Sequence, residues 1–268
     1  MKKKLLKRLA LTVIGVVMVS GLVGCSSGRT RDNASSAERQ GNTVVVGFDN
    51  TFVPMGFLDK NNNVVGFDVD LAKEALKRAG YKPKFENIDW SMKEQALENG
   101  NVDCLWNGYS ITPEREKKVA FSIPYFNNKQ IVITKADEPF KKISDLKNQP
   151  VGTQTASSAY DAIENDKKFL DIIKDQQPIT YDTYDKALRD LEIGRIKAVV
   201  GDEVLLKYYI KQRDPKLYKI LEGNLGSEKY GVGFRKDDNE LREKVDKALQ
   251  EMMKDGTFKQ IEDKWFNN

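Results

Sequence analysis

The chain has 268 residues, 44 of them basic and 40 acidic, and no histidine. The missing imidazole excludes Ser-His-Asp and Cys-His catalysis and every metal site that needs one; two cysteines supply neither a thiolate cluster nor a disulfide framework. Five basic residues fall within the first eight positions, and without them 39 basic residues face 40 acidic ones, a balance that gives no basis for tracking nucleic-acid phosphates.

In chain order, the first segment reads as an address. Lys2, Lys3, Lys4, Lys7 and Arg8 precede an apolar run over 9–23 in which only Thr12 and Ser20 are polar. This is the basic region and apolar region of a secretory signal. A membrane anchor is the alternative, but about 15 apolar residues fall short of the ~20 that span a bilayer. Leu22-Val23-Gly24-Cys25-Ser26-Ser27 resembles the lipobox of bacterial lipoproteins. The expectation is a signal peptide over 1–24, lipidation at Cys25, and a flexible tether over 25–41, where alanine is the only hydrophobic residue after the cysteine. That places the protein on the outer face of the cytoplasmic membrane, held by lipid chains alone. Cys104, within an apolar run, is expected to pack as a small hydrophobe.

The body alternates strands and helices. Val44 to Phe48 is a short β-branched run and predicts a buried strand. Asp59-Lys60-Asn61-Asn62-Asn63 has the chemistry of a hairpin tip. Val69, Ala72, Leu76 and Ala79 recur at helical spacing over 67–79, and Gly80 ends the helix. Strands follow at 84–88 and 102–106, with a short helix at 91–99 between them and another starting at Thr112. The second half repeats the theme: strands at 151–153, 179–181 and 196–200, helices at 158–164, 184–192 and 203–210. An echo links the halves, since Leu97-Glu98-Asn99-Gly100 and Leu191-Glu192-Ile193-Gly194 each precede an apolar run. Helices over 239–254 and 257–265 close the chain. The pattern predicts an α/β protein of two similar lobes, each an open, mostly parallel sheet flanked by helices.

Such sheets bind ligands beyond the carboxyl ends of their strands. The residues there are Asp49 and Phe52, then Trp90, then Asn107, Gly108, Tyr109 and Ser110, then Gln154, Thr155, Ser157 and Ser158, and finally Asp202. Taken singly, the aromatics could be core, and Ser157, Ser158 and Asp202 could be helix caps. Thr112 as cap with Pro113 at the first helical position puts Arg115 in the first turn, where a cation opposes the helix dipole. Either a local acid such as Glu114 or Glu116 neutralises it, or an anion is meant to bind there.

Six stretches together carry a resemblance: Gly66-Phe67-Asp68-Val69-Asp70-Leu71-Ala72, Asn107-Gly108-Tyr109-Ser110-Ile111-Thr112-Pro113-Glu114-Arg115, Phe121-Ser122-Ile123-Pro124-Tyr125, Gly194-Arg195-Ile196-Lys197-Ala198 with Asp202, Gly231-Val232-Gly233-Phe234-Arg235-Lys236-Asp237-Asp238, and Met253-Lys254-Asp255-Gly256-Thr257-Phe258. Over about 42–268 the chain is similar to the extracytoplasmic solute-binding proteins of polar amino acid ABC transporters. The resemblance implies a two-lobed, type II periplasmic-binding-protein-like fold, with two crossover strands near 131–135 and 228–231. Lobe 1 would then span 42–132 plus 229–268, and lobe 2 would span 133–228. It further implies that Arg115 clamps the ligand α-carboxylate, helped near Ser110 and Ser158. Asp202 would take the α-ammonium, with Gly108 and Ser110 as further acceptors. Phe52 and Trp90 would wall the side chain, and Asp49, Asn107, Gln154 and Ser157 would read it.

Asn107 stands where relatives commonly carry a small hydroxyl, and Gln154 where an aliphatic is common. No relative's ligand can therefore be copied over. Asp49 favours a ligand with a distal donor, such as arginine, lysine or glutamine; cystine fits the same logic. The expectation is a monomeric receptor, not an enzyme, which takes no cofactor or metal and delivers a free L-amino acid to ABC permease subunits. A small-carboxylate dehydratase on the same scaffold is the alternative from another class, with Asp202 or Glu203 as acid or base.

Overall fold

The computed structural model describes residues 41–267. The expected signal peptide, Cys25 and all but the last residue of the expected tether lie outside the described residues. The N-terminal half contains β1 (Thr43–Phe48), β2 (Thr51–Phe52), β3 (Gly56–Leu58), β4 (Val64–Val65), α1 (Phe67–Arg78), β5 (Lys82–Asn87), α2 (Lys93–Glu98), β6 (Cys104–Leu105), α3 (Pro113–Lys118), β7 (Ala120–Phe121) and β8 (Phe126–Lys135). Then come β9 (Val151–Gln154), α4 (Ser158–Asn165), α5 (Lys167–Leu170), β10 (Ile179–Tyr181), α6 (Tyr184–Glu192), β11 (Ala198–Asp202), α7 (Glu203–Gln212), β12 (Tyr218–Ile220), β13 (Ser227–Tyr230), β14 (Gly233–Phe234), α8 (Asn239–Asp255) and α9 (Thr257–Phe266).

Two large sheets organise these elements, one per lobe, and β2, β3 and β4 form a small third sheet. The first has the order β5-β1-β6-β14-β7 and the second β10-β9-β11-β8-β12, with β13 paired to β8. Both are mixed. The strands read from βαβ spacing are the parallel ones: β5, β1 and β6 in the first sheet, β10, β9 and β11 in the second. Returning strands complete each sheet antiparallel. The sequence echo maps onto equivalent places, since Gly100 and Gly194 both take positive φ (75° and 78°) after α2 and α6 and lead toward β6 and β11.

The passage between sheets differs from the expectation. β8 is one ten-residue strand whose first half pairs with β13, from Phe126↔Tyr230 to Lys129↔Ser227, while Gln130 to Ile133 pair with β11. The two lobes are therefore joined along 126–130 and 227–230. Residues 131–135, expected as the first crossover, already belong to the second sheet, and Val132 is fully buried with Val151, Ala198 and Val200 in its core. An expected lobe 1 limit at 132 thus falls inside the second lobe.

The largest apolar cluster spans both lobes, joining Val44, Phe67 and Leu249 to Ile133, Leu188 and Leu205, while Val132, Val151, Ala198 and Val200 belong to a cluster of the second lobe alone. Val44 and Val46 of β1 lie against Leu71, Ala72 and Ala75 of α1, and Val245, Ala248 and Leu249 of α8 return to the same core. Cys104 is fully buried there and forms no disulfide. A satellite cluster of Trp90, Leu97, Val102, Leu105 and Tyr109 lies under the chain that carries Arg115.

Candidate functional site

The expected rim residues of both lobes come together. Beyond β1, Asp49 Oδ1 accepts from the Thr51 N–H (2.9 Å) and hydroxyl (2.7 Å), so the side chain folds into its own turn. The Asp49 N–H donates to Asn107 Oδ1 at 3.0 Å. The Asn107 amide nitrogen lies against Gly56, where an added Cβ would sit 2.5 Å away. Asn107 therefore braces the Asp49 turn within lobe 1.

The loop after β6 is shaped by Asp68 of α1. Asp68 Oδ2 accepts the Gly108 N–H at 2.6 Å and the Tyr125 hydroxyl at 2.9 Å. Burial raises its carboxyl to about 7, against the lowering effect of those two bonds. Gly108 has φ 57°, and a Cβ there would meet the Phe52 ring at 2.7 Å. Both the backbone angle and the space require glycine.

Thr112 caps α3 as read, its hydroxyl accepting the Arg115 N–H at 3.2 Å with Pro113 next. The Arg115 guanidinium is buried and lies over the Tyr109 ring, 4.7 Å from its centroid. Nη1 donates to the Ser110 carbonyl (3.1 Å) and Nη2 to the Ala156 carbonyl (3.4 Å). Among the described residues it forms no ion pair; Glu114, the local candidate, pairs with Lys117.

The second lobe supplies the facing side. Ser157 caps α4 through the Tyr160 N–H at 3.1 Å, so its hydroxyl has a structural task. The neighbouring Ser158 hydroxyl lies 2.9 Å from Ser110 Oγ across the cleft. Gln154 Nε2 also crosses it, reaching Asp49 Oδ2 at 2.8 Å and the Asp182 carbonyl at 3.0 Å. Burial pushes the Asp49 carboxyl up from its ordinary value, while the bonds from Thr51 and Gln154 pull it back. Asp202 ends β11, where its carboxylate accepts from Asn128 Nδ2 (2.6 Å), Tyr230 (2.7 Å) and Gln130 Nε2 (3.1 Å). Burial, then the Glu228 charge, raises its pKa well above normal. No lysine or arginine pairs with it among the described residues.

The expected aromatic walls sit differently from one another. Phe52 faces Tyr184 of α6 at a 6.2 Å centroid distance, one ring from each lobe. Trp90 stands edge-on to Tyr109 and has the Lys93 ammonium 5.3 Å from its ring centroid. Tyr184 is buried beside Ser157 and Thr153, yet its hydroxyl makes no well-formed hydrogen bond.

Sequence reading missed Lys93, Tyr184, Glu228 and the pair Asn128 and Gln130. Lys93 is buried, and its Nζ donates across the cleft to the Ala156 carbonyl at 2.8 Å. Burial, then the nearby Arg115 charge, lowers its pKa to about 8. Nothing in the sequence separates it from an ordinary helix-surface lysine. Asn128 and Gln130 did carry a signal: two amides two residues apart share one face of a strand that is otherwise apolar further on.

Beyond the strand ends, then, lies a closed interlobe cleft with a cation on one wall and an anion on the other that form no ion pair among the described residues, the arrangement of a protein that folds over a small charged solute. The model of the bacterial extracellular solute-binding proteins, family 3, matches residues 44–268, and the chain belongs to that family. It is 34% identical over 241 residues to ABC transporter arginine-binding protein 1 of Escherichia coli (strain K12), covering 87% of this chain and 93% of that one. Its structure is similar to that of an ABC uptake transporter substrate-binding protein from Streptococcus pneumoniae with bound histidine (TM-score 0.83, 36% identity, 85% of this chain and 93% of that one). It also resembles an ancestral arginine-binding protein bound to glutamine (TM-score 0.77, 39% identity, 85% and 99% covered).

Proposed function

We propose that the chain is an extracytoplasmic receptor that closes over a polar L-amino acid and presents it to an ABC permease. One observation carries this reading. Arg115 and Asp202 are both buried and form no ion pair among the described residues, and a chain of hydrogen bonds runs between them through Ser110, Ser158 and Gln130. Buried charges need partners. A zwitterion supplies both at once, its carboxylate to Arg115 and its ammonium to Asp202.

Asp49 supports a ligand whose side chain ends in donors, a basic or amide amino acid. Gln154 already donates to it, so such a ligand replaces or joins that bond. The solute is held when lobe closure adds contacts from the second wall, so closure is a population shift driven by tighter binding to the closed form. The receptor is anchored by lipid at Cys25, with residues 26–41 as tether, and acts as a monomer.

The test is thermal unfolding of the full chain against the common L-amino acids, ornithine and cystine, after stripping carried-over ligand. A ligand that binds only the native state stabilises by RT ln(1 + [L]/Kd), about 2.7 kcal/mol at one hundred times Kd. One or a few basic or amide amino acids should raise the midpoint by several degrees. No shift with any amino acid would overturn the receptor reading, and cystine alone would overturn the choice of a basic or amide ligand.

A further inference from the structure

The ammonium end of the cleft holds a second carboxylate. Glu228, on the return strand β13, places Oε1 within hydrogen-bond distance of Asn128 Nδ2 (2.8 Å), Gln130 Nε2 (2.7 Å), the Ser110 hydroxyl (2.7 Å) and the Ser158 hydroxyl (3.3 Å). The same two amide nitrogens hold Asp202 Oδ1 at 2.6 and 3.1 Å. Two carboxylate oxygens are thus bridged twice by one pair of NH2 groups. Among the described residues no lysine or arginine pairs with either acid. The carbonyl oxygens of Asn128 and Gln130, two residues that are 4% and 2% exposed, are buried without a donor. The cluster therefore has acceptors in surplus and lacks N–H groups, which is what an ammonium brings.

We propose that Asp202, beside the Glu228 carboxylate, holds a proton until the ligand arrives, and that the ligand α-ammonium displaces it, so that solute capture releases a proton. This rests on the amino acid receptor reading and adds Glu228 to the site. Asp202 is buried and held by the same two amides as Glu228, so its ionisation beside that like charge is disfavoured. In the exchange the carboxyl O–H bond breaks, its proton goes to solvent, and both carboxylates are then ionised acceptors for the ammonium N–H groups. No oxidant or other reactant is needed.

The surroundings support the assignment of the proton to Asp202. Tyr230 donates to Asp202, and Tyr184 lies close by; burial pushes both phenols well above their ordinary range, so neither titrates near neutrality. Arg115 reaches the cluster through the Ser110 carbonyl. Glu228 and Asn128 also line a cavity of about 350 Å³ on the connecting strands, with Asn127, Lys129, Glu203, Ser227 and Lys229. Glu228 is half-buried there, which gives the proton an exit that does not depend on the cleft opening.

Two readouts test this with the full chain. Titration calorimetry with L-arginine and L-glutamine, in buffers of different ionisation enthalpy near pH 7, should show close to one proton released per ligand bound. The affinity should then fall about tenfold per pH unit on the acid side. Glu228→Gln should release none. A wild-type heat independent of buffer, or a variant that still releases the proton, overturns the proposal. Infrared difference spectroscopy of ligand-free wild type against Glu228→Gln needs no binding. A protonated-carboxyl band present in wild type and lost in the folded variant supports the pair even if neither probe binds, an outcome that would count against the receptor reading instead. The absence of that band overturns the pair.

Discussion

The two ends of the cleft are built on opposite plans. At the end formed by Arg115 and Asp202, two buried groups form no ion pair among the described residues and are hydrogen-bonded by neutral ones: carbonyls on the cation, amides and a phenol on the anion. At the end formed by Asp49, the carboxylate is already met by three hydrogen bonds, one of them from the opposite lobe. The first end has unmet electrostatic demand that any α-amino acid satisfies. The second must give up the Gln154 bond, or share it, before a ligand side chain gains from it. Affinity should therefore come chiefly from the first end and discrimination from the second, because a ligand that fails to replace a satisfied bond is penalised.

The largest effects should follow from emptying the first end. Arg115→Met leaves the ligand carboxylate without its cation in a buried site, a loss of about 2–5 kcal/mol or roughly 30- to 3000-fold in Kd. Asp202→Asn should fall in the same range through the ammonium. Calorimetric titration checks both. Because Arg115 forms no ion pair among the described residues, its removal should leave the unfolding midpoint of the stripped protein nearly unchanged. Binding that stays within fivefold of wild type in either variant would break the comparison at its stronger end.

Asp49→Asn addresses the other end. It keeps the size and one acceptor of the side chain but removes the charge. Binding of arginine or lysine should weaken by about 10- to 100-fold, the range of one hydrogen bond to a charged group. Glutamine should lose far less, so the ratio of the two affinities is the quantity to measure. Equal losses would mean that Asp49 shapes the loop and does not read the ligand. Asn107→Ala should give a smaller version of the same change, several-fold in Kd, since Asn107 fixes the Asp49 turn through the backbone N–H.

Much of this was legible from residue types and spacing. Hydrophobic periodicity gave α1 and α8, and β-branched runs gave β1 and the apolar half of β11. The Thr112–Pro113 start placed Arg115 without a structure. The crossover was misplaced because β8 has two characters. Its first half, Asn127 to Gln130, faces the cleft and the connecting region and is polar, so it does not look like a strand; the apolar second half does, and drew the boundary five residues too late. Glu228 and Lys93 were invisible for a different reason. Their chemistry depends on residues 98–118 and 63 positions away, respectively, and charged residues at those places read as solvated surface.

Asp68 gives the smallest effect and tests whether the two ends are independent. It lies beneath the loop that carries Gly108 and Ser110, so a change there should act on both ends alike. Its folded pKa is about 7, raised by burial above the ordinary value of 3.8. A raised acid pKa means that the folded state binds more protons between those values than the unfolded chain does. Its contribution to stability is then complete below about pH 4 and is lost as pH rises through 7. Asp49 and Asp202 shift in the same direction and add to the trend. Wild type should unfold a few degrees higher at pH 5 than at pH 8. In Asp68→Asn, which retains an acceptor for the Gly108 N–H, that difference should shrink. Kd for arginine and for glutamine should each weaken by only a few-fold, and by the same factor. A loss confined to one ligand would show that the Gly108 loop serves one end of the cleft alone.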